Sequence, residues 1–308
     1  MATLATTRDA TRSLGRGRAA RREALTAVAF LSPSLLLFGV FVYYPLVMSG
    51  YISLTKWNIV APIKPFVGLA NYEKLFTDPR FAVILKNTLV YSTGVVGAGL
   101  LLGLGLALLL NRGTGGRSIY RTLIFSPYVT STAAVALLWM WIFDPQFGLI
   151  NSFLRAVAIP PPGWLSSPDW ALPAIMIMSI WHNTGYNMVI FLAGLQNVPE
   201  EYYEAAKIDG ATGVRLFWHI TLPLLSPTTF FLVVTGLISS FQVFDAVAVM
   251  TQGGPLDSTN VVVFYLYQSA FQFFEMGYAS AVAMVLFLMV MLLTVLQIVS
   301  ARRWVHYG

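Results

Sequence analysis

Six stretches of this chain are apolar over lengths that match a lipid bilayer, and this constrains the fold more than any single residue does. They cover about residues 26–50, 87–110, 122–143, 170–196, 226–250 and 277–300. A helix needs about 20 such residues to cross the hydrocarbon core. Only 10% of the 308 residues are charged, against about 25% in soluble domains, so the chain lacks the polar surface to cover itself in water. The expected fold is all-α: a polytopic membrane protein with six transmembrane helices and modest loops at 51–86 and 144–169. Cysteine is absent, which removes disulfides and thiolate metal sites.

Lysine and arginine orient the spans. With the N-terminus in the cytoplasm, Arg8, Arg12, Arg16, Arg18, Arg21, Arg22, Arg112, Arg117, Arg121, Lys207, Arg215, Arg302 and Arg303 fall inside. Lys56, Lys64, Lys74, Arg80, Lys86 and Arg155 fall outside, a ratio of 13 to 6. Such residues accumulate on the cytoplasmic side, so both termini are expected there. The chain then divides into a basic cytoplasmic tail (1–25), a six-helix membrane domain (26–300) and a cytoplasmic C-terminus (301–308). The tail lacks the apolar core and cleavage site of a removable signal, and a cytoplasmic flank accounts for its arginines without nucleic acid. Trp57, Trp164, Trp170 and Trp304 fall near membrane–water boundaries, where tryptophan acts as an anchor.

Between the fourth and fifth spans lies "EAAKIDGATGVRLFWHITLP", Glu204–Pro223. Pro199 suits the start of a helix, and Glu200 and Glu201 suit its first turn. Helical periodicity puts Glu200, Glu204 and Lys207 on one face and Tyr202, Ala205 and Ala206 on the other, where the alanines leave a flat surface. Asp209-Gly210 stops this helix, and Thr212 is placed to cap a second one. There Leu216, Phe217 and Ile220 face one way, and Arg215 and His219 the other. Pro223 and Pro227 break the chain as it enters the fifth span. The carboxylates of Glu200, Glu201, Glu204 and Asp209 outnumber Lys207 and Arg215. A plate of this sign suits a protein partner better than anionic lipid.

The order Glu-Ala-Ala, Asp-Gly-Ala, Ile-Thr-Leu-Pro resembles the EAA loop of ABC importer permeases. "FDAVAVMTQGGPLDSTNVVVFYLYQSAF" and "FLSPSLLLFGVFVYYPLVMSGYISLTKWN" resemble the fifth-span and first-span regions of the carbohydrate-type permeases, in the maltose and glycerol-3-phosphate branch. The resemblance implies a type I importer permease in a bacterial or archaeal cytoplasmic (inner) membrane. It implies a second, different permease subunit, a cytoplasmic ATPase dimer and an extracytoplasmic solute-binding protein as partners, with a carbohydrate as substrate. It makes 199–223 a coupling helix that meets the ATPase through Glu200, Glu204, Ala205, Ala206, Asp209, Gly210 and Ala211. The chain lacks the additional N-terminal spans and inserted outer domain of the maltose-type member, so that protein's sugar contacts are not carried across.

No G-x-x-x-x-G-K-[ST] loop occurs, and the glycine cluster Arg112–Ser118 lacks the lysine. No cofactor is expected in this chain, with ATP and magnesium held by the partner ATPase. Polar side chains within spans suggest a pathway. Asn183, Tyr186 and Asn187 share a face of the fourth span, Ser239, Gln242 and Asp245 a face of the fifth, and the third offers Thr130 and Ser131. Amides, hydroxyls and rings suit a polyol. Asp245 is expected to hydrogen-bond in the interior, His182 to be a packed histidine, and Gly99-x-x-x-Gly103 to serve helix packing. The absence of a span-borne cation in spans three to five favours a neutral sugar over glycerol-3-phosphate. Metal binding is not expected from three scattered histidines. A lone Asp245 argues against an ion-coupled secondary transporter, and missing G-x-S-x-G and H-E-x-x-H motifs against an intramembrane enzyme.

Overall fold

The computed structural model describes residues 23–59, 63–111 and 116–305. The basic tail before Glu23, residues 60–62 and 112–115, and the last three residues lie outside the described residues. The chain forms two units, one ending at Ile52 and the other beginning at Ser53. Among the described residues the first is a single helix, α1 (Glu23–Ser53), whose last residue begins the second unit; it has a wider π turn at Gly39–Tyr43.

The second unit contains α2 (Ala70–Thr77), α3 (Pro79–Asn111), α4 (Arg117–Val129), α5 (Thr132–Ile142), α6 (Leu149–Ala156) and α7 (Pro168–Gln196). It continues through α8 (Glu200–Ile208), α9 (Gly213–Leu224), α10 (Ser226–Phe241), α11 (Asp245–Met250), α12 (Val262–Tyr267) and α13 (Met276–Trp304). Among the described residues the only extended pairing is two isolated bridges, Thr55–Phe66 and Asn58–Glu275. Helices suit this chain because backbone groups in hydrocarbon must be paired within their own segment or a closed barrel.

Helices α1, α3 and α13 are each long and apolar enough to cross a membrane, and the bent pairs α4–α5 and α9–α10 bring the number to five. Helix α7 has 29 residues, about 43 Å at 1.5 Å each, long enough for a sixth crossing, although polar residues from Trp181 to Asn187 interrupt its apolar run. Two expectations need correction. The third span is two helices meeting at 99°. Pro127 removes a helical donor, and Thr130 is extended, at φ −79° and ψ 145°. The fifth span ends at Phe241, and α11 starts anew at Asp245 after Phe244 leaves helical geometry.

Helix α7 sits at the centre because glycines let neighbouring helices approach it closely on three sides. A Cβ on Gly103 of α3 would lie 2.6 Å from Asn187 Cβ and 3.1 Å from the Met188 nitrogen. The Gly99–Gly103 pair is therefore the packing surface its spacing suggests. Gly185 of α7 leaves room for the backbone of Ile124 and Phe125 in α4, and Gly194 for the side chains of Thr228 in α10 and Leu225. Valine at Gly103 is expected to cost about 1–3 kcal/mol by overpacking, lowering folded yield and Tm in detergent. Alanine at Gly105, whose Cβ would meet nothing within 4 Å, is the control and leaves both unchanged.

The loop after α11 is tied to the Pro79 end of α3. Arg80 Nε and Nη2 donate to Asp257 Oδ2 and Oδ1 at 2.7 and 2.9 Å. Asn87 Nδ2 donates to the Asp257 and Asn260 carbonyls. The bonds from Arg80 hold the Asp257 carboxyl below the usual carboxylate range against its partial burial, with Asn260 adding to the effect. A depressed carboxylate stabilises the fold above its unfolded pKa of about 3.9, and that contribution fades as pH falls through the folded value. Asp257→Asn should therefore melt below the parent at neutral pH, with the gap closing in thermal scans taken below about pH 4.

Candidate functional site

A cavity of about 520 Å³ lies beside α7, bounded also by α3, the α4–α5 corner, α10 and α11. Asn183, Tyr186, Asn187, Ser239, Gln242 and Asp245 all line it. The first three come from one face of α7. The others come from the end of α10 and the break after it, where unwinding turns Gln242 and Asp245 into the open space. No lysine or arginine lines the cavity.

Its aromatic wall was not evident from sequence. Tyr128 of α4 stacks on Tyr186 with centroids 4.8 Å apart and rings 22° from parallel. Tyr128 sits in an apolar run and reads there as packing; Pro127 beside it was the available signal that the helix ends. Thr130 and Ser131 do not line the cavity, whereas Thr132 does, because the corner between α4 and α5 turns the chain. Tyr91 also lines it and donates to Ser179 Oγ at 2.9 Å.

The corner explains His182. A helix ending inside a membrane leaves carbonyls that need donors. Ser126 Oγ donates to the Leu123 carbonyl, and Thr130 N–H to that of Pro127. His182 Nε2 lies 3.2 Å from the Thr130 carbonyl, which can only accept, so Nε2 carries the proton. The residue is 7% exposed, as expected of a packed histidine. Asp245 departs from expectation. It opens α11, is exposed to the cavity, and its carboxylate bonds no protein group among the described residues.

The second candidate surface is the plate formed by α8 and α9. Gly210 adopts φ +79°, and its N–H donates to the Lys207 carbonyl while that of Ala211 donates to Ala206. This paired closure needs the left-handed residue that glycine supplies. Thr212 occupies the cap position of α9, but its side chain makes no capping bond. Leu216, Phe217 and Ile220 are partly buried, and Arg215 and His219 exposed.

The flat alanine face needs correction. Tyr203 Oη reaches Thr221 Oγ1 at 3.4 Å, which turns the 203/206 side of α8 inward. Ala206 is 8% exposed and belongs to the chain's own packing. Glu200, Glu204, Ala205, Asp209 and Gly210 remain exposed, with Ala211 partly so. Ile208, 86% exposed, joins them, as do Val214 and Trp218. An apolar residue directly before the Asp-Gly stop was the signal that would have found Ile208.

Residues 99–306 match the family model described as the binding-protein-dependent transport system inner membrane component. The chain belongs to this family. It is a multi-pass inner-membrane transport subunit of the ABC permease class. It is 38% identical over 96% of its length to the probable ABC transporter permease protein YesP of Bacillus subtilis (strain 168), also covering 96% of that protein. It is 34% identical to the sulfoquinovosyl glycerol transport system permease protein SmoG of Agrobacterium fabrum, over 88% of this chain and 89% of that one. Its fold matches a chain of a bacterial alginate ABC transporter, solved in complex with an alginate pentasaccharide-bound periplasmic protein. There the TM-score is 0.81 at 24% identity, over 94% of this chain and 98% of the other.

His182→Leu leaves the Thr130 carbonyl without its donor, which should cost about 1–3 kcal/mol and lower Tm in detergent. His182→Gln can still donate and should recover part of the loss.

Proposed function

We propose that this permease forms one half of a heterodimeric importer pore for a carbohydrate, a mono- or oligosaccharide, driven by a cytoplasmic ATPase dimer and supplied by an extracytoplasmic binding protein. The observation that carries the reading is the cavity. It combines hydroxyl and amide groups with a stacked tyrosine pair and no cation. Sugars need hydrogen bonds around their rims and apolar contact on their faces. The sugar in SmoG's substrate name supports the carbohydrate class, though not its neutrality, since a sulfoquinovosyl group bears a sulfonate. Both termini face the cytoplasm in this reading, as the lysine and arginine distribution favours.

The plate is the proposed ATPase contact, with ATP and magnesium bound in that partner. Exposed carboxylates surround Ile208, giving an apolar anchor with a charged rim, the arrangement of a protein interface. Binding there can drive transport only if the ATPase favours one state of the spans over the other.

Two sets of variants test this reading in proteoliposomes holding the whole transporter and its binding protein. Gln242→Leu and Asn183→Leu should each reduce sugar uptake about tenfold, the equivalent of one lost hydrogen bond, while unstimulated ATP hydrolysis persists. Ala205→Arg and Ile208→Asp should uncouple hydrolysis from uptake with insertion intact. Unchanged uptake in the first pair removes the cavity from the pathway; coupled uptake in the second removes the plate. Glycerol-3-phosphate offered in place of sugar, if carried by the parent transporter, would replace the neutral substrate with an anionic one.

A further inference from the structure

Helix α6 lies outside both surfaces described above. It follows α5 directly, so it stands where a span leaves the bilayer, whichever side that is. Its wheel divides into three arcs. Ile150, Asn151 and Leu154 turn towards the protein, and Asn151 is almost fully buried. Asn151 Nδ2 donates to the Asp144 carbonyl at 2.9 Å, and its Oδ1 accepts from Trp164 Nε1 at 2.8 Å. Arg155 and Ser152 form a polar arc, with Arg155 donating to the Pro145 and Gln146 carbonyls. Leu149, Phe153 and Val157 form the third arc and are exposed, Phe153 by 67%.

The helix is thus held rigidly by its inner arc while large apolar side chains point away from the protein. Phe147, 74% exposed, and Ile159 extend the same apolar surface at either end. Leu137, Leu138 and Trp141 of α5, the span just before it, are also exposed, so the surface continues from the span onto α6. Arg155 is the one charged residue between 145 and 168, and its guanidinium is occupied by backbone carbonyls. A water-soluble partner would meet a polar rim around such a patch; this segment offers almost none. Trp164 and Trp170, packed edge to face at 5.3 Å, flank it, as aromatic side chains do at membrane boundaries.

We infer that α6 is an interfacial membrane anchor. Leu149, Phe153 and Val157 enter the boundary between lipid headgroups and acyl chains, Ser152 and Arg155 face water, and Asn151 couples the anchor to the top of α5. The bilayer thereby fixes the height of the α5–α7 connection, which ends at two helices that wall the cavity. The polar arc offers a single cation, Arg155, already held by the Pro145 and Gln146 carbonyls, so attachment rests on apolar burial more than on attraction to anionic lipid. The inference does not depend on the identity of the transported molecule.

The chain has no cysteine, so single cysteines at Phe153, Leu149 and Ser152 can each carry an environment-sensitive NBD label. The complete transporter is reconstituted in phosphatidylcholine nanodiscs, with the unsubstituted complex as the labelling blank. Labels on F153C and L149C should emit to the blue, be quenched by phosphatidylcholine bearing a nitroxide near its headgroup, and resist aqueous iodide. The label on S152C should show the reverse. Iodide quenching at 153 and 149 would overturn the inference in favour of a solvated helix. Protection from both quenchers there would overturn it in favour of a protein cover, such as the second permease subunit. F153C and L149C report on the same arc, so failure of one to insert leaves the other to decide.

Discussion

The contact between α3 and α7 sets the dimensions of the rest of the membrane unit. Gly99 and Gly103 bring the α3 backbone against Asn187, whose Nδ2 fills the space a side chain at Gly99 would take and whose Cβ and main chain fill that at Gly103. Asn187 also lines the cavity, so the wall of the cavity and the packing surface are two sides of one residue. In lipid, apolar side chains gain nothing by leaving one apolar medium for another, and close backbone approach supplies much of the association energy. The polar turn of α7 would be expensive at this depth if it faced lipid. Packed through Gly99/Gly103 on α3 and through its own Gly185 on α4, it faces protein and the cavity instead.

Length and hydropathy made the spans legible in the sequence, and the i, i+3, i+4 spacing of Asn183, Tyr186 and Asn187 made one wall of the cavity legible. The breaks were harder to see, because they depend on partners far along the chain. Thr130 and Ser131 lie within a continuous apolar run, and nothing near them in sequence announces a donor for the Thr130 carbonyl. His182, 52 residues on, is that donor in the folded chain. Tyr128 was hidden for the same reason: its stacking partner is on another helix. The break after Phe241 is similar, since a polar pair spaced three apart reads equally well as one face of an unbroken helix.

The plate was read correctly in outline and misread in rotation. Gly210 fixes where α8 stops, and that follows from a single residue's conformational freedom. Which side of α8 faces inward depends instead on the Tyr203–Thr221 contact across to α9. Nine residues give two and a half turns, about 2.5 at 3.6 residues each, too few for periodicity to separate a buried Ala206 from an exposed Ala205. The exposed apolar Ile208 then matters more than either alanine, because it concentrates apolar area at the centre of a charged rim.

The covalent path from plate to cavity limits how force can pass between them. Helix α7 ends at Gln196, four residues before α8 begins, and α9 meets α10 at a 63° bend around Leu225. Both ends of the plate therefore lead directly into helices that wall the cavity. Leu225 is fully buried at that bend, and Gly194 of α7 faces the adjacent Thr228, so the two helices touch where they leave the plate. A displacement of the plate that keeps this contact moves α7 and α10 together, carrying Asn183 and Tyr186 along with Ser239. The corner at Thr130 and the break at Gln242 are the places where the walls can change shape without breaking a continuous helix. Motion entering at the packed Gly194–Thr228 contact is thus best accommodated at the two breaks beside the cavity, and these breaks present Tyr128 and Gln242 to whatever occupies it.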